Sequence, residues 1–320
     1  MYIRAKFING RYYYYLVESE RVGNRIVQKT LSYLGDWEEA LAYAEKHKLK
    51  VMEPKPRIHE GGATKLDKII ELKKRRLDSL KISPEVKKRY RGDLTVVWTY
   101  HSTVIEGSTL SFKDTNLFLS ENVVGPNKPF EDYMDAKGHR DAVDLVFLWT
   151  DKDPKRPIQE IDILNLHKTT MWGREWGGKY RDVQVYIRNS AHLPPPPSQV
   201  KRMMKEFVDR ANKNSDKLPS IAHIAISHAD FEGIHPFVDG NGRVGRLLVN
   251  WMLMKAGYPP IIIEVRERKK YFNLIEEAQV KNDPTRLIWF FKNKLNKAYD
   301  FYLKRVDPNY DKWIKEIKRG

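Results

Sequence analysis

The sequence predicts a mainly α-helical protein in which a small βββα module precedes a larger helical domain. Three strand-like runs joined by turn signals fall within the first fifty residues, whereas the later chain shows helix caps and apolar runs of helical spacing. Apolar residues make up 41% of the 320, which is enough for a real core. We expect the basic β-rich module and its linker at residues 1–60, the helical domain at 61–310, and a basic tail at 311–320.

The β-rich module begins at the N-terminus and ends in a linker. Its predicted elements are strands at residues 3–8, 11–17 and 25–33 and a helix at residues 37–47. Asn9 and Gly10 form a strong hairpin signal between the first two strands, and Asp36 is typical of the residue that caps a helix. The Pro-containing stretch at 52–57 and the Gly pair at 61–62 predict the linker.

The chain is strongly basic, with a formal net charge of +16. Between Lys65 and Arg91 there are eleven Lys or Arg residues and only four Asp or Glu. Such clusters can neutralise phosphates, and the four tyrosines from Tyr12 to Tyr15 can stack on bases, so nucleic acid is an alternative partner. The competing interpretation is that the basic runs are solvated helix faces and the tyrosines pack against a helix. We favour the second interpretation, because no specific nucleic-acid-reading motif accompanies the charge.

Composition also bears on the compartment. The chain has no cysteine, which excludes disulfides, thiolate metal sites and a cysteine nucleophile. The N-terminus lacks the apolar stretch of a signal peptide, and no apolar run approaches the length of a membrane span. We therefore expect a cytoplasmic protein with no membrane partner.

A long helix is predicted from Ser83 to Gly107. Ser83 followed by Pro84 is typical of a cap and a first helical residue. Because residues four apart share a helix face, Ser102 and Glu106 are expected together on the last turn. The helix then presents a hydroxyl and a carboxylate side by side.

A short strand is predicted inside the helical domain. Residues 182–187 follow Gly178 and alternate polar and apolar side chains with period two. From this pattern alone, a hairpin that merely packs on the core is as well supported as one with a function.

The most informative stretch is the loop from His235 to Arg246, between two predicted core helices. Gly240 and Gly242 let main-chain N–H groups approach an anion closely, and the following helix begins where unpaired amides favour phosphate. The guanidinium groups of Arg243 and Arg246 can add bidentate hydrogen bonds to a phosphate. The loop therefore predicts a phosphate site with a histidine base beside it.

The loop reads HPFVDGNGRVGR and matches the signature HPF-x-[D/E]-G-N-[G/K]-R-x-x-R at every specified position. On this motif the chain resembles the Fic family, and the likeness extends from about residue 92 to residue 300. The resemblance implies the Fic helical bundle with a small β-hairpin flap. It also implies transfer of AMP from ATP to a hydroxyl group of a protein substrate.

The resemblance gives two loop residues roles in the chemistry. His235 would be the general base that takes the proton from the incoming hydroxyl, a task that suits an imidazole. Asp239 would be the ligand of a Mg²⁺ ion that bridges the phosphates, since a hard carboxylate suits a hard cation. ATP and Mg²⁺ are thus the implied substrate and cofactor.

The same resemblance assigns the other loop residues to the triphosphate. Gly240, Asn241 and Gly242 would form the nest for the α- and β-phosphates. Arg243 and Arg246 would hold the triphosphate, with Arg246 at its γ end.

A second motif precedes the loop in the chain. Ser102 to Gly107, STVIEG, fits the inhibitory pattern [S/T]-x-x-x-E-[G/N] of some Fic proteins. In those relatives the glutamate pairs with the second arginine of the signature and prevents productive binding of ATP, which here implies a pair between Glu106 and Arg246. The physical reason is competition, because one guanidinium cannot make bidentate hydrogen bonds to a carboxylate and to a γ-phosphate at once.

Two further regions gain meaning only from the family. The segment after Gly178 resembles the flap that holds a target segment by strand addition. The implied flap residues are Asp182, Val183, Gln184, Val185 and Tyr186. Near the adenine, Phe272 and Gln279 stand where family members have a tyrosine and an asparagine, so an aromatic ring and an amide remain.

The resulting hypothesis is a protein adenylyltransferase that modifies a Ser, Thr or Tyr hydroxyl of another protein or of itself, restrained by Glu106. Removal of AMP from a modified protein by the same site is the first alternative, and phosphate transfer is disfavoured by the intact G-N-G-R motif. A nucleic-acid-binding regulator with an ATP-sensing Fic domain is the non-enzymatic alternative. A homodimer is a further expectation from the family.

Overall fold

The computed structural model describes residues 1–8, 11–22, 25–35, 37–49, 51–52, 64–188, 190–213 and 220–319. Its elements in chain order are β1 (Tyr2–Ile8), β2 (Arg11–Val22), β3 (Arg25–Gly35), α1 (Trp37–His47), β4 (Val51–Met52), α2 (Lys65–Asp78), α3 (Pro84–Glu106), α4 (Phe112–Glu121), α5 (Phe130–Lys152), α6 (Glu160–Thr170), α7 (Pro197–Asn212), α8 (Ser220–Ile234), α9 (Asn241–Lys255), α10 (Arg268–Lys281), α11 (Thr285–Val306) and α12 (Tyr310–Arg319). The predicted mainly helical fold with an N-terminal β-rich module is confirmed.

The N-terminal sheet has the strand order β3-β2-β1-β4. The antiparallel pairs β1/β2 and β2/β3 and the helix α1 confirm the predicted βββα order. The strands run longer than predicted. Met52, which was expected in the linker, ends the sheet, and the rest of the expected linker at 53–57 and 61–62 lies outside the described residues. Val51 and Met52 pair in parallel with Ile3 and Arg4, because the free edge of β1 offers unpaired main-chain groups after α1. The predicted hairpin turn at Asn9 and the cap at Asp36 lie outside the described residues.

Successive side chains of β2 serve two different cores. Tyr14 and Leu16 face α1, where they pack in a small cluster. Tyr15 and Val17 point the other way and join the large core of the helical domain. Since Tyr14 and Tyr15 are both almost fully buried, the packing interpretation is confirmed for these two tyrosines. The side chains of Tyr12 and Tyr13 lie outside the described part of the chain.

Two central helices, α8 and α9, form the middle of the helical domain. Both are buried around most of their circumference, as expected for helices surrounded by protein. In α9, Val244, Leu247 and Trp251 have no exposed surface. The loop that joins α8 to α9 is therefore anchored at both ends in the core.

The helix α3 has the ends that its sequence predicts. Ser83 accepts a hydrogen bond from the N–H of Val86, and Pro84 is the first helical residue. Gly107 ends the helix in the left-handed region, with φ 118°. Glu106 is thus the last helical residue and stands at a helix terminus.

The predicted strand at 182–187 and the β-hairpin flap are wrong for the described residues. The segment has no ladder partner and no strand assignment. Side-chain hydrogen bonds hold the segment instead: Arg181 donates to Val183 O at 3.0 Å, and Gln184 donates to Pro194 O at 3.1 Å. The period-two pattern here marks an irregular exposed segment and not a paired strand.

The C-terminal tail is a helix that packs on the domain. Tyr310 and Ile314 of α12 are buried in the large core cluster. Arg76 of α2 binds Asp307 just before this helix, with Nε to Oδ2 at 2.8 Å. Among the described residues, no helix combines the length and apolar character needed to cross a membrane.

Truncating Tyr15 to alanine removes the ring by which the sheet enters the helical core. We expect the free energy of unfolding to fall by about 3 kcal/mol, as for other buried aromatic side chains. Chemical denaturation measures this change. Val27→Ala on the exposed side of the same sheet is the control and should change it by less than about 0.5 kcal/mol. Equal effects of the two changes would contradict a stabilising contact between sheet and core.

Candidate active site

The loop between α8 and α9 is held in one shape by its own side chains. Asn241 is 2% exposed, and its amide both accepts from Phe237 N and donates to Phe237 O, at 2.9 and 2.8 Å. These two hydrogen bonds close the turn. The side chain of Asn241 is therefore committed to the loop, and only its main-chain N–H, at the first residue of α9, remains for the predicted phosphate contact.

The turn also needs a glycine at its centre. Gly240 adopts φ 81°, and a Cβ there would lie 2.6 Å from the sulfur of Met171. Both the left-handed backbone and the close approach exclude a side chain. His167 closes the turn from the other side, because its Nε2 donates to Asp239 O at 3.0 Å while its Nδ1 accepts from Gly178 N.

His235 lies directly after α8 with an unusual backbone. Its φ of 49° is in the left-handed region, which a residue with a β-carbon rarely adopts without strong surrounding constraints. Its Nδ1 lies 3.3 Å from Glu232 O, so Nδ1 carries the hydrogen and Nε2 is left as the acceptor. Burial lowers the pKa of His235 to about 4. The ring is therefore neutral at pH 7, the state that a general base requires.

Arg246 is a buried charged residue with partners on α3. It is 4% exposed and lies on the first turns of α9. Its Nε donates to Ser102 Oγ at 3.0 Å, and its Nη2 donates to Ser102 O at 2.8 Å. Nη2 also pairs with Glu106 Oε1 at 2.8 Å. The structure thus brings together both residues of the upstream motif and the second arginine of the loop.

The carboxylate of Glu106 lies over the predicted anion nest. A Cβ built on Gly242 would meet Glu106 Oε1 at 2.3 Å and Arg246 Nη1 at 2.9 Å. Only a glycine at this position leaves room for an oxygen atom to approach the start of α9. The Glu106 oxygen occupies the space directly over Gly242.

The first arginine of the loop has partners that the sequence pattern did not reveal. Arg243 is 3% exposed and pairs with Asp135 of α5 at 2.7 Å and with Asp239 at 3.1 Å. Asp135 lies more than a hundred positions away in the chain, with no motif around it. The pairing of Asp135 with Arg243 could be recognised only from the tertiary structure.

Arg181 is a second residue that sequence reasoning passed over. Its main-chain N–H donates to Pro236 O, and its Nε donates to His235 O at 2.8 Å. Since it also donates to Val183 O, this 3% exposed side chain joins the segment after Gly178 to the loop. The predicted flap residues Asp182, Val183, Gln184 and Tyr186 are exposed beside it.

The two residues of the predicted adenine region lie on α10. Gln279 is buried and donates to Ala229 O of α8 at 3.1 Å, so its amide already has a main-chain partner. Phe272 is partly buried, and the guanidinium of Arg268 lies 4.9 Å from its ring centroid. The face of the Phe272 ring therefore already contacts the cation of Arg268.

Metal binding in the site would depend on one carboxylate. In the described part of the chain, no group of three or more His, Cys, Asp or Glu side chains is arranged to hold a metal ion. Asp239 has a 61% exposed side chain at the rim of the loop. This donor set fits Mg²⁺ that arrives with phosphates, because such an ion takes only one or two protein carboxylates and keeps several waters.

Comparison with known proteins agrees with this geometry. Residues 157–253 match the model of the Fic/DOC family. The chain is 34% identical over 209 residues to the protein adenylyltransferase Fic of Drosophila willistoni, a match that covers 64% of this chain and 41% of that protein. The chain spans about two fifths of the length of this curated relative.

Two solved structures share the fold. A Fic domain containing signaling protein from Bacteroides thetaiotaomicron superposes with a TM-score of 0.69 at 27% identity, covering 76% of this chain and 98% of that chain. Fic-1 (residues 134–508) from C. elegans gives a TM-score of 0.66 at 26% identity, covering 75% of this chain and 71% of that one. Through residues 157–253, this chain carries a domain of the Fic/DOC family.

Proposed function

We propose that this protein transfers AMP from ATP to a hydroxyl group of a protein substrate. The observation that carries the proposal is a neutral, partly buried His235 beside a glycine nest at the start of α9. The name of the curated relatives, protein adenylyltransferase, supports the same reaction. A base, an anion site and two buried arginines are the parts that such a transfer needs.

The proposed step is a displacement at the α-phosphorus. His235 Nε2 takes the proton of the substrate hydroxyl, whose oxygen forms a bond to the α-phosphorus. The bond from that phosphorus to the bridging oxygen breaks, and pyrophosphate leaves with the electron pair. Because Nδ1–H is held by Glu232 O, the ring presents Nε2 to the proton without rotating.

The predicted phosphate residues would divide the triphosphate between them. The main-chain N–H groups from Gly240 to Gly242 supply the nest, and Arg243 and Arg246 supply charge. Within the described residues Arg246 Nη1 has no hydrogen-bond partner, and it lies above Gly242. Asp239 would hold Mg²⁺, which supplies charge neutralisation of the phosphates when bound.

Autoinhibition by Glu106 is part of the proposal. The Glu106 oxygen lies in the space over Gly242 and uses Nη2 of Arg246, so it competes with a phosphate both for volume and for charge. Release requires only that the carboxylate leave, since Ser102 also binds Arg246. We infer that Glu106 keeps the wild-type protein at low transferase activity.

Removal of AMP is the second candidate function. It is favoured by the placement of Glu106 at the site itself, where a carboxylate can orient a water molecule towards an AMP-modified hydroxyl. The two reactions share His235 and differ in the use of Glu106. The Glu106 variants therefore separate them.

The remaining expectations concern partners. The exposed segment at 182–186 is proposed to hold an extended target segment through main-chain hydrogen bonds. Four expectations stay predictions. They are a homodimer, a nucleic-acid partner for the basic surface, a cytoplasmic location, and adenine contacts from Phe272 and Gln279. A purely ATP-sensing regulator would transfer no label, so labelling experiments distinguish it from an enzyme.

His235→Ala should abolish transfer, because the hydroxyl then has no base. Incubation with ATP labelled at the α-phosphate, followed by detection of protein-bound label, measures this. The loss should be on the order of a hundredfold or more. His47→Ala, an exposed histidine of α1, is the control and should keep full labelling. Label from the γ-phosphate instead would mean phosphate transfer and contradict the proposed reaction.

Glu106→Gly should raise α-label incorporation about tenfold or more over wild type, because the nest and Arg246 become available to ATP. Glu106→Gln keeps the shape of the side chain and removes its charge, so an intermediate gain is expected. The rate of label incorporation at several ATP concentrations measures both variants. No gain in either variant would contradict inhibition by Glu106.

If the protein also removes AMP, wild type should release it from a modified substrate and Glu106→Gln should not. The substrate is labelled by Glu106→Gly protein, purified, and incubated with each variant in the absence of ATP. Free AMP is then measured. Equal release by wild type and Glu106→Gln would contradict a role for the carboxylate in reversal.

A further inference from the structure

The buried carboxyl group of Glu232 lies beside His235 and has no part in the proposed mechanism. Glu232 lies on α8 one turn before His235, and its Oε2 is 4.0 Å from His235 Nδ1. Its side chain is only 10% exposed, and Oε1 has no hydrogen-bond partner within the described residues. A Cβ built on Gly245 would meet this Oε1 at 2.4 Å, so the carboxyl group is pressed against the main chain of α9.

The charge of Glu232 depends on its neighbours. Burial raises the pKa of Glu232 to about 8, Arg246 opposes that rise, and the carboxylate of Glu106 adds to it. At pH 7 the group is therefore neutral while Glu106 is present. Neutrality also agrees with the unpartnered oxygen, since a buried carboxylate ion without full hydrogen bonding is costly.

The other ionisable groups around this pair have settled partners. Burial lowers the pKa of His228 to about 3, and its Nε2 binds Tyr271 OH at 2.6 Å; burial also raises the pKa of that tyrosine. Arg181 binds carbonyl oxygens of the loop, and Asp239 pairs with Arg243. On α8 itself, Asp230 turns away towards Arg210 of α7. The variable charge near Glu232 is therefore that of Glu106.

We propose that Glu232 is a positioning residue for His235. When Glu106 leaves Arg246, the carboxyl group of Glu232 ionises and then stabilises the protonated imidazole of His235. The departure of Glu106 removes a like charge and leaves Arg246 to favour the Glu232 carboxylate. An ionised Glu232 at 4.0 Å from Nδ1 makes His235 a stronger base. The inference rests on the proposed function, since it takes His235 as the base and Glu106 as the inhibitor.

The consequence is a double action of the inhibitory residue. Glu106 occupies the phosphate space directly, and by holding Glu232 neutral it also keeps a carboxylate charge away from Nδ1 of His235. The charge of Glu106 itself raises the pKa of His235, so the Glu232 carboxylate takes over that role when Glu106 leaves. When the base accepts the hydroxyl proton at Nε2, the positive ring is neutralised by Glu232 on its Nδ1 side. The proton then passes from Nε2 to water, which restores the neutral ring.

Histidine titration by NMR tests this without any activity measurement. Nucleotide-free Glu106→Gly protein and the double variant Glu106→Gly/Glu232→Gln carry labelled histidine, and His235→Ala identifies the resonance. We expect the pKa of His235 to fall by about one pH unit when Glu232→Gln is added, a tenfold change in proton affinity. Adding Glu232→Gln to wild type should shift it far less, because Glu232 is already neutral there. Equal shifts in both backgrounds, or none in Glu106→Gly, would overturn the proposal.

The pH dependence of α-label incorporation, measured at ATP concentrations far below saturation so that it reports the nucleotide-free protein, is the second readout. An ionised Glu232 favours the charged ring, so its loss should move the acidic limb of the rate profile of Glu106→Gly to lower pH and reduce the plateau rate. A side chain with only a structural role would lower the rate at every pH without moving the limb. An unmoved limb overturns the proposal.

Asp230→Asn is the matched control for both measurements. It removes a buried carboxylate from the same helix, but one that faces Arg210 and not Arg246. The pKa of His235 should stay unchanged in it. If no variant transfers label while the NMR shift still appears only in Glu106→Gly, the proposed function fails and the coupling of Glu232 to His235 stands.

Discussion

The buried guanidinium of Arg246 is the constraint around which the site is arranged. A cation that is 4% exposed must keep an anionic partner, because an unpaired buried charge costs about 3–5 kcal/mol. Ser102 supplies neutral oxygens, but only a carboxylate or a phosphate neutralises the charge. Glu106 fulfils this need from the end of α3. An anion that replaces Glu106 must therefore bring its own negative charge to the same nitrogen atoms.

The rest of the site is rigid enough to make this exchange local. Asn241 closes the loop on Phe237, His167 holds Asp239 O, and Arg181 holds the carbonyl of His235. Each of these side chains binds main-chain atoms, so the loop does not depend on a ligand for its shape. Only Glu106 lies at a helix terminus with a 30% exposed side chain. In this arrangement the site changes its charge without changing its backbone.

The sequence predicted the parts of the site that are contiguous in the chain. The loop from His235 to Arg246 and the last turn of α3 are local patterns, and the pair between Glu106 and Arg246 followed from the family motif. Asp135 and Arg181 escaped prediction because their roles arise from contacts between distant elements. The strand predicted at 182–187 failed for a related reason, since alternation cannot say whether a partner strand is present.

The packing of the N-terminal sheet has a consequence for cooperativity. Tyr15 packs against His192 with 5.9 Å between ring centroids, and His192 Nε2 donates to Gly233 O, two residues before His235. Local opening of the sheet would thus withdraw support from the end of α8. We therefore expect the strands β1 to β3 and the loop at 235–246 to behave as one unit in hydrogen exchange, and heat that melts the sheet to disorder His235 as well.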